Sequence, residues 1–237
     1  MRDLTTYGPR RARNKALALC MAMGLALGTP ATADAEQVDI LALGDSLTQG
    51  YGLIEQEGFV PQLRAWLAER GHDVRIVNGG VSGDTTAGGL SRVEWSLTAE
   101  IDAMIVALGG NDLLRGIAPD VARDNIDGIL QVADANDLDV LLIGMQAPGN
   151  YGAEYKAAFD ALYPELAEAY GTLYLDSFFA GLMVDGALPA PEALREVMQS
   201  DGIHPNAQGV EKIVEVIGPQ VEALIARVLE KQAAASN

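Results

Sequence analysis

The stretch Val38-Asp39-Ile40-Leu41-Ala42-Leu43-Gly44-Asp45-Ser46-Leu47 organises the rest of the chain. Val38 to Leu43 is an almost continuous apolar run stopped by Gly44. A strand with one wet face would alternate polar and apolar residues. A short run without alternation belongs to a strand covered on both faces. Segments of the same kind follow: Val74 to Val77, Ile101 to Leu108, Leu138 to Met145 and Thr172 to Leu175 read as further strands. Between them lie stretches with apolar residues at helical spacing, at Gly58 to Arg70, Thr86 to Leu97, Pro119 to Ala135 and Ala153 to Tyr170. Asn206 to Ala233 reads as a closing helix, with a kink expected at Gly218-Pro219. Strands alternating with helices predict an α/β fold, a doubly wound parallel sheet in one domain.

Composition narrows the chemistry. The chain has 237 residues, 49% hydrophobic and 21% charged, which excludes a disordered protein. Its 16 Lys and Arg against 33 Asp and Glu, a formal charge of −17, exclude the basic surface that nucleic acid requires. One Cys cannot make an intramolecular disulfide, and with only two His it cannot complete a Cys/His zinc site. The first residues have a separate character. Arg2, Arg10, Arg11, Arg13 and Lys15 precede an apolar run from Ala16 to Leu27, and small residues at Ala31, Ala33 and Ala35 follow. This is the pattern of a signal peptide over residues 1–33, leaving residues 34–237 as a single mature domain. The apolar run is well short of the roughly 20 residues a spanning helix needs. The residues around Arg10-Arg11 do not complete a twin-arginine motif, and bulky Leu19 before Cys20 does not suit a lipoprotein signal. An exported protein, periplasmic or secreted and without stable membrane insertion, is the expectation.

In a doubly wound sheet, ligands bind beyond the carboxyl ends of the strands. The residues there are Gly44-Asp45-Ser46-Leu47, Asn78 to Thr85, and Gly109-Gly110-Asn111-Asp112. Ser46 is a candidate nucleophile, although a helix cap is the competing reading. His204, in Ser200-Asp201-Gly202-Ile203-His204-Pro205-Asn206, is a candidate base, and Asp201 three residues earlier can orient its imidazole. A cap and a turn residue are the alternatives for these two. His72, between Gly71 and Asp73 at the other end of the sheet, reads as a solvated turn residue. The Gly83 backbone N–H and the Asn111 side-chain amide are candidate oxyanion donors, with a positive-φ turn and a turn-closing asparagine as alternatives.

With these blocks in this order, residues 38 to 229 resemble the SGNH, or GDSL, hydrolases. Within that superfamily the stretches SGDTTAGGL from Ser82, GGNDLLRG from Gly109, APGNYG from Ala147 and DGIHPNAQG from Asp201 are most similar to exported arylesterases and multifunctional acyl-CoA thioesterase/lysophospholipases. The resemblance implies a three-layer α/β/α sandwich with a five-stranded parallel sheet in flavodoxin-like order 2-1-3-4-5. It implies Ser46 as nucleophile, His204 as general base and acid, and Asp201 as its orienter. It also implies an oxyanion hole from the Ser46 and Gly83 N–H groups and the Asn111 side chain, with no cofactor and no metal. The expected partner is a small-molecule ester, with oligomeric state left open. Thr48 stands where an α/β-hydrolase elbow needs glycine, and neither nucleotide-binding glycine motif is present.

Leu113, Leu114, Ile117 and Tyr151 follow strand ends and are candidates for lining an acyl groove, against ordinary loop and core anchors. Short- to medium-chain esters are the first substrate expectation, with thioesters and lysophospholipids next. A polysaccharide or peptidoglycan O-acetylesterase would use the same residues. A non-catalytic carbohydrate- or lipid-binding module would not.

Overall fold

A computed structural model describes residues 37–236. The signal peptide expected over residues 1–33 lies outside them. Five strands form one parallel sheet in the order β2-β1-β3-β4-β5: β1 (Val38–Gly44), β2 (Val74–Gly80), β3 (Ala103–Ala107), β4 (Asp139–Ile143) and β5 (Leu173–Leu175). The helices are α1 (Ser46–Gln49), α2 (Phe59–Glu69), α3 (Thr86–Ser96), α4 (Gly110–Arg115), α5 (Pro119–Ala135), α6 (Ala153–Tyr170) and α7 (Ala207–Ala235). α2 packs with α7, while α3, α5 and α6 pack in a row, and both groups reach the sheet. The three-layer α/β/α architecture and its strand order are those the sequence resemblance implied.

Burial explains the apolar runs. Every residue of β1 and β3 is buried, since each lies inside the sheet and under helices on both faces. β2 is an edge strand and only Ile76 in it is fully buried. It runs longer than its apolar run, through Asn78, Gly79 and Gly80, which pair with Ala42, Leu43 and Gly44. A Cβ on Gly80 would sit 2.2 Å from the Gln49 backbone nitrogen, so only glycine lets β2 continue alongside α1.

The closing helix is unbroken from Ala207 to Ala235 despite Pro219. Its buried face, including Val210, Ile213, Ile217, Val221, Leu224 and Val228, holds it against α2 and the sheet, offsetting the hydrogen bond that Pro219 cannot donate. His72 is less solvated than its turn position predicts: Nε2 lies 2.8 Å from Glu222 Oε1 on α7. No helix among the described residues is long and apolar enough to cross a membrane.

Candidate active site

The first strand ends at Gly44, and the chain turns at once into α1. Asp45, not Ser46, caps that helix: its Oδ1 accepts from the Leu47 N–H at 3.0 Å. Ser46 is therefore the first helical residue, and its own N–H has no acceptor within the helix. Across the site the Asp201 carboxylate organises a tight turn. Oδ1 accepts from the Ile203 and His204 N–H groups at 2.9 and 3.0 Å, and Oδ2 lies 2.7 Å from His204 Nδ1. Gly202 makes this possible by adopting a φ of +67° between them. The cap of α7 is Asn206, which accepts from Gly209 N–H, so His204 is free of that role.

His204 Nε2 lies 2.9 Å from Ser46 Oγ. With Nδ1–H donating to Asp201, Nε2 carries the lone pair and accepts from the serine hydroxyl. Burial alone would raise the Asp201 carboxyl, but donation from His204 Nδ1 and the two backbone N–H groups outweighs it and holds the group at about 2. Its charge is thus present wherever the imidazole must pick up a proton. The His204 ring packs on Tyr51 at 4.6 Å between centroids, and Gln199 donates to the Tyr51 and Pro205 carbonyls at 2.7 and 3.0 Å. These contacts fix the ring that a chain of 158 residues separates from Ser46.

Asp45 is 1% exposed, and burial lifts its carboxyl to about 6 against the pull of the Leu47 N–H and the Asn111 amide. Asn111, in the first turn of α4, donates one amide hydrogen to Asp45 Oδ2 at 3.2 Å. A second amide hydrogen remains for a ligand. Gly109, just before that helix, has a φ of +117°, and a Cβ there would lie 2.0 Å from the Tyr163 hydroxyl, which donates to the Leu108 carbonyl at 2.9 Å. Gly83 lies in the turn after β2 at a φ of +84°. Ser46, Gly83, Asn111, Asp201 and His204 all line one cavity of about 810 Å³.

Leu113, Leu114 and Tyr151 line the same cavity, Leu113 at its base and Leu114 60% exposed at the rim. Ile117 is not among the residues lining this cavity. α4 ends at Gly116 in a left-handed conformation, and the Ile117 carbonyl that follows accepts from the Tyr155 hydroxyl at 2.7 Å. Further apolar lining comes from the connection between β5 and α7, with Phe179, Met183, Leu188, Leu194 and Met198. Sequence reading left this connection unassigned. It has no sustained periodicity: a one-turn 3-10 helix at Ala180–Leu182, single bridges from Val184 to Ala187 and Met198 to Pro205, and scattered turn hydrogen bonds hold it together. Asp45 was the more findable omission, since an acid immediately before a strand-end helix is a cap signal. Among the described residues no group of three or more His, Cys, Asp or Glu side chains could hold a metal.

A serine, an imidazole and a carboxylate in hydrogen-bonded series, at the carboxyl end of a flavodoxin-like sheet, define a serine hydrolase. Residues 42–212 match the GDSL-like lipase/acylhydrolase family, and the chain belongs to it. It is an esterase of that family. The chain is 37% identical to esterase TesA of Pseudomonas aeruginosa over 82% of this chain and 92% of that one. It is 32% identical to thioesterase 1/protease 1/lysophospholipase L1 of Escherichia coli K12 over 78% of this chain and 84% of that one. The crystal structure of AlinE4, an SGNH-hydrolase family esterase, is 41% identical with a TM-score of 0.62, covering 79% of this chain and 96% of the other.

Proposed function

We propose that the protein hydrolyses short- to medium-chain carboxylic esters through an acyl-enzyme on Ser46. The observation that carries this reading is the hydrogen-bonded series from Ser46 Oγ through His204 to Asp201, at 2.9 and 2.7 Å. Ser46 Oγ attacks the ester carbonyl while His204 Nε2 takes its proton, and the imidazolium gives that proton to the departing alcohol or phenol. Asp201 holds the imidazole tautomer and the developing positive charge without itself taking a proton. The carbonyl oxygen, now an anion, is received by the Ser46 and Gly83 N–H groups and the free Asn111 amide hydrogen. Water then repeats the sequence on the acyl-enzyme, with His204 as base and Ser46 as leaving group.

Cavity size and lining support the acyl preference. A cavity of about 810 Å³ walled by Leu113, Leu188, Met183 and Met198 suits an acyl chain of several carbons better than an acetyl group on a sugar. This disfavours the O-acetylesterase reading. The kinship with a thioesterase/lysophospholipase makes thioesters and lysophospholipids secondary substrates of the same site. The basic, apolar and small-residue pattern of residues 1–33 supports export, so cytosolic acyl-CoA would be rarely met.

Ser46→Ala and His204→Ala should each reduce hydrolysis of p-nitrophenyl butyrate to the uncatalysed rate while the thermal melt is retained. Full activity in folded Ser46→Ala would overturn the assignment. A chain-length series from acetyl to decanoyl, run as oxygen esters and as thioesters, tests the substrate class. A rate maximum at acetyl would favour the deacetylase.

A further inference from the structure

Three donors on three separate segments would make the oxyanion hole: Ser46 after β1, Gly83 after β2 and Asn111 after β3. No stretch of continuous backbone fixes their mutual distances, yet such donors act only when held to a fraction of an ångström. Gly83 poses the hardest case. It is a glycine at a φ of +84°, with the least intrinsic restriction of any residue, and its N–H must still point one way.

Backbone bonds from the Val81 N–H to the Gly44 carbonyl at 3.1 Å and from the Asp84 N–H to the Val81 carbonyl at 3.0 Å shape that turn, and two arginines brace it further. Arg92 on α3 is 7% exposed, and its planar fork spans two acceptors at once. Nε donates to Asp84 Oδ2 at 2.6 Å, and Nη2 donates to the Gly44 carbonyl at 2.8 Å. Asp84 is the residue after Gly83, and Gly44 is two before Ser46. Arg92 thereby links the Gly83 turn to the segment bearing Ser46. On the solvent side Arg115, the last residue of α4, donates from Nη2 to the Gly83 carbonyl at 2.8 Å. The helix that begins with Gly110-Asn111 is thus tied to the same glycine. A buried ion pair is a poor source of stability, because desolvating both charges offsets most of their attraction. What it does provide is directional geometry.

We propose that Arg92 and Arg115 are positioning residues of the esterase reaction, setting the spacing of the oxyanion donors without touching substrate. The proposal rests on the oxyanion hole assigned above, so Asn111→Ala is measured alongside. Each variant is assayed for kcat and KM with p-nitrophenyl butyrate and for inhibition by an alkylboronic acid, whose tetrahedral serine adduct occupies the oxyanion position. Arg92→Lys keeps the charge but not the fork, and should lower kcat about 10- to 100-fold at unchanged KM. Arg115→Ala, at the exposed tether, should lower it about three- to tenfold. In both, the boronate inhibition constant should rise by the factor lost from kcat/KM, as for any transition-state contact. A purely structural role would instead lower the melting temperature and leave the kcat of the folded fraction and the inhibition constant unchanged.

Wild-type kcat and boronate inhibition in folded Arg92→Lys and Arg115→Ala, or a change confined to KM, would overturn the proposal. If Arg92→Lys fails to fold, the exposed Arg115→Ala decides by the same criteria. Full kcat in Asn111→Ala would overturn the oxyanion assignment itself. A loss in Asn111→Ala with none in the arginine variants would sink only the tethers.

Discussion

Asp45 occupies a position that is costly to the folded state when its carboxyl is ionised. Its carboxyl is raised from 3.8 to about 6 by burial, so between those values the folded chain holds a proton that the unfolded chain has released. Stability therefore rises as pH falls from above 6 towards 4, and the carboxylate form costs on the order of 3 kcal/mol at higher pH. Asp201 works in the opposite sense. Its carboxyl is held at about 2, so its contribution is present above pH 4 and lost only as the solution becomes more acidic. The two windows do not overlap. Asp45→Asn should consequently melt closer to, or above, the wild type at pH 8 than at pH 5. Thermal melts of both proteins across that range provide the check, and an offset independent of pH would contradict the burial cost. At the same scale, the oxyanion role proposed for the Asn111 amide predicts a loss of about 10²- to 10³-fold in kcat for Asn111→Ala.

At the scale of elements, the segment between β5 and α7 supplies much of the apolar lining of the cavity proposed to take the acyl chain. Leu188, Met183 and Met198 come from this connection and line the cavity together with Leu113 and Tyr151. Each methylene of an acyl chain covered by such a wall gains roughly 0.8 kcal/mol. Leu188→Ala should therefore reduce kcat/KM for an octanoyl ester several-fold while leaving an acetyl ester nearly unaffected. An equal loss on both esters would mean that Leu188 supports the fold and does not line the acyl path. The periodic helices were legible because each buries one face. This connection was not, because short turns, a one-turn 3-10 helix and single bridges place its residues, with no repeating pattern to read.

Across the whole molecule, charge is the dominant feature beyond the core. Five of the 16 basic residues and one of the 33 acidic ones lie in residues 1–33, so a chain beginning at Asp34 would carry −21. Ion pairs such as Arg123–Glu165, at 2.6 Å, are exposed and contribute little individually. Self-repulsion should therefore outweigh surface pairing at low ionic strength. Raising sodium chloride from about 10 to 200 mM shortens the screening length to below about 10 Å and should raise the melting temperature. A fall over that range would show that specific ion pairs outweigh the net repulsion.

The amino-acid sequence by itself determined the layered fold, through unbroken apolar runs that only a doubly covered parallel sheet can bury. It also determined the identities of Ser46, Gly83, Asn111, Asp201 and His204 as candidates, because strand-end position, the Asp-x-x-His spacing and residue type are all one-dimensional facts. Tertiary structure decided their distances: the 2.9 Å from Ser46 to His204 and the 3.2 Å from Asn111 to Asp45 bridge segments far apart in the chain. It also decided the burial that raises Asp45 and the reach of Arg92 to two segments at once. Each of these depends on which surfaces packing brings together, and hydrophobic periodicity records which face is buried but not what it meets.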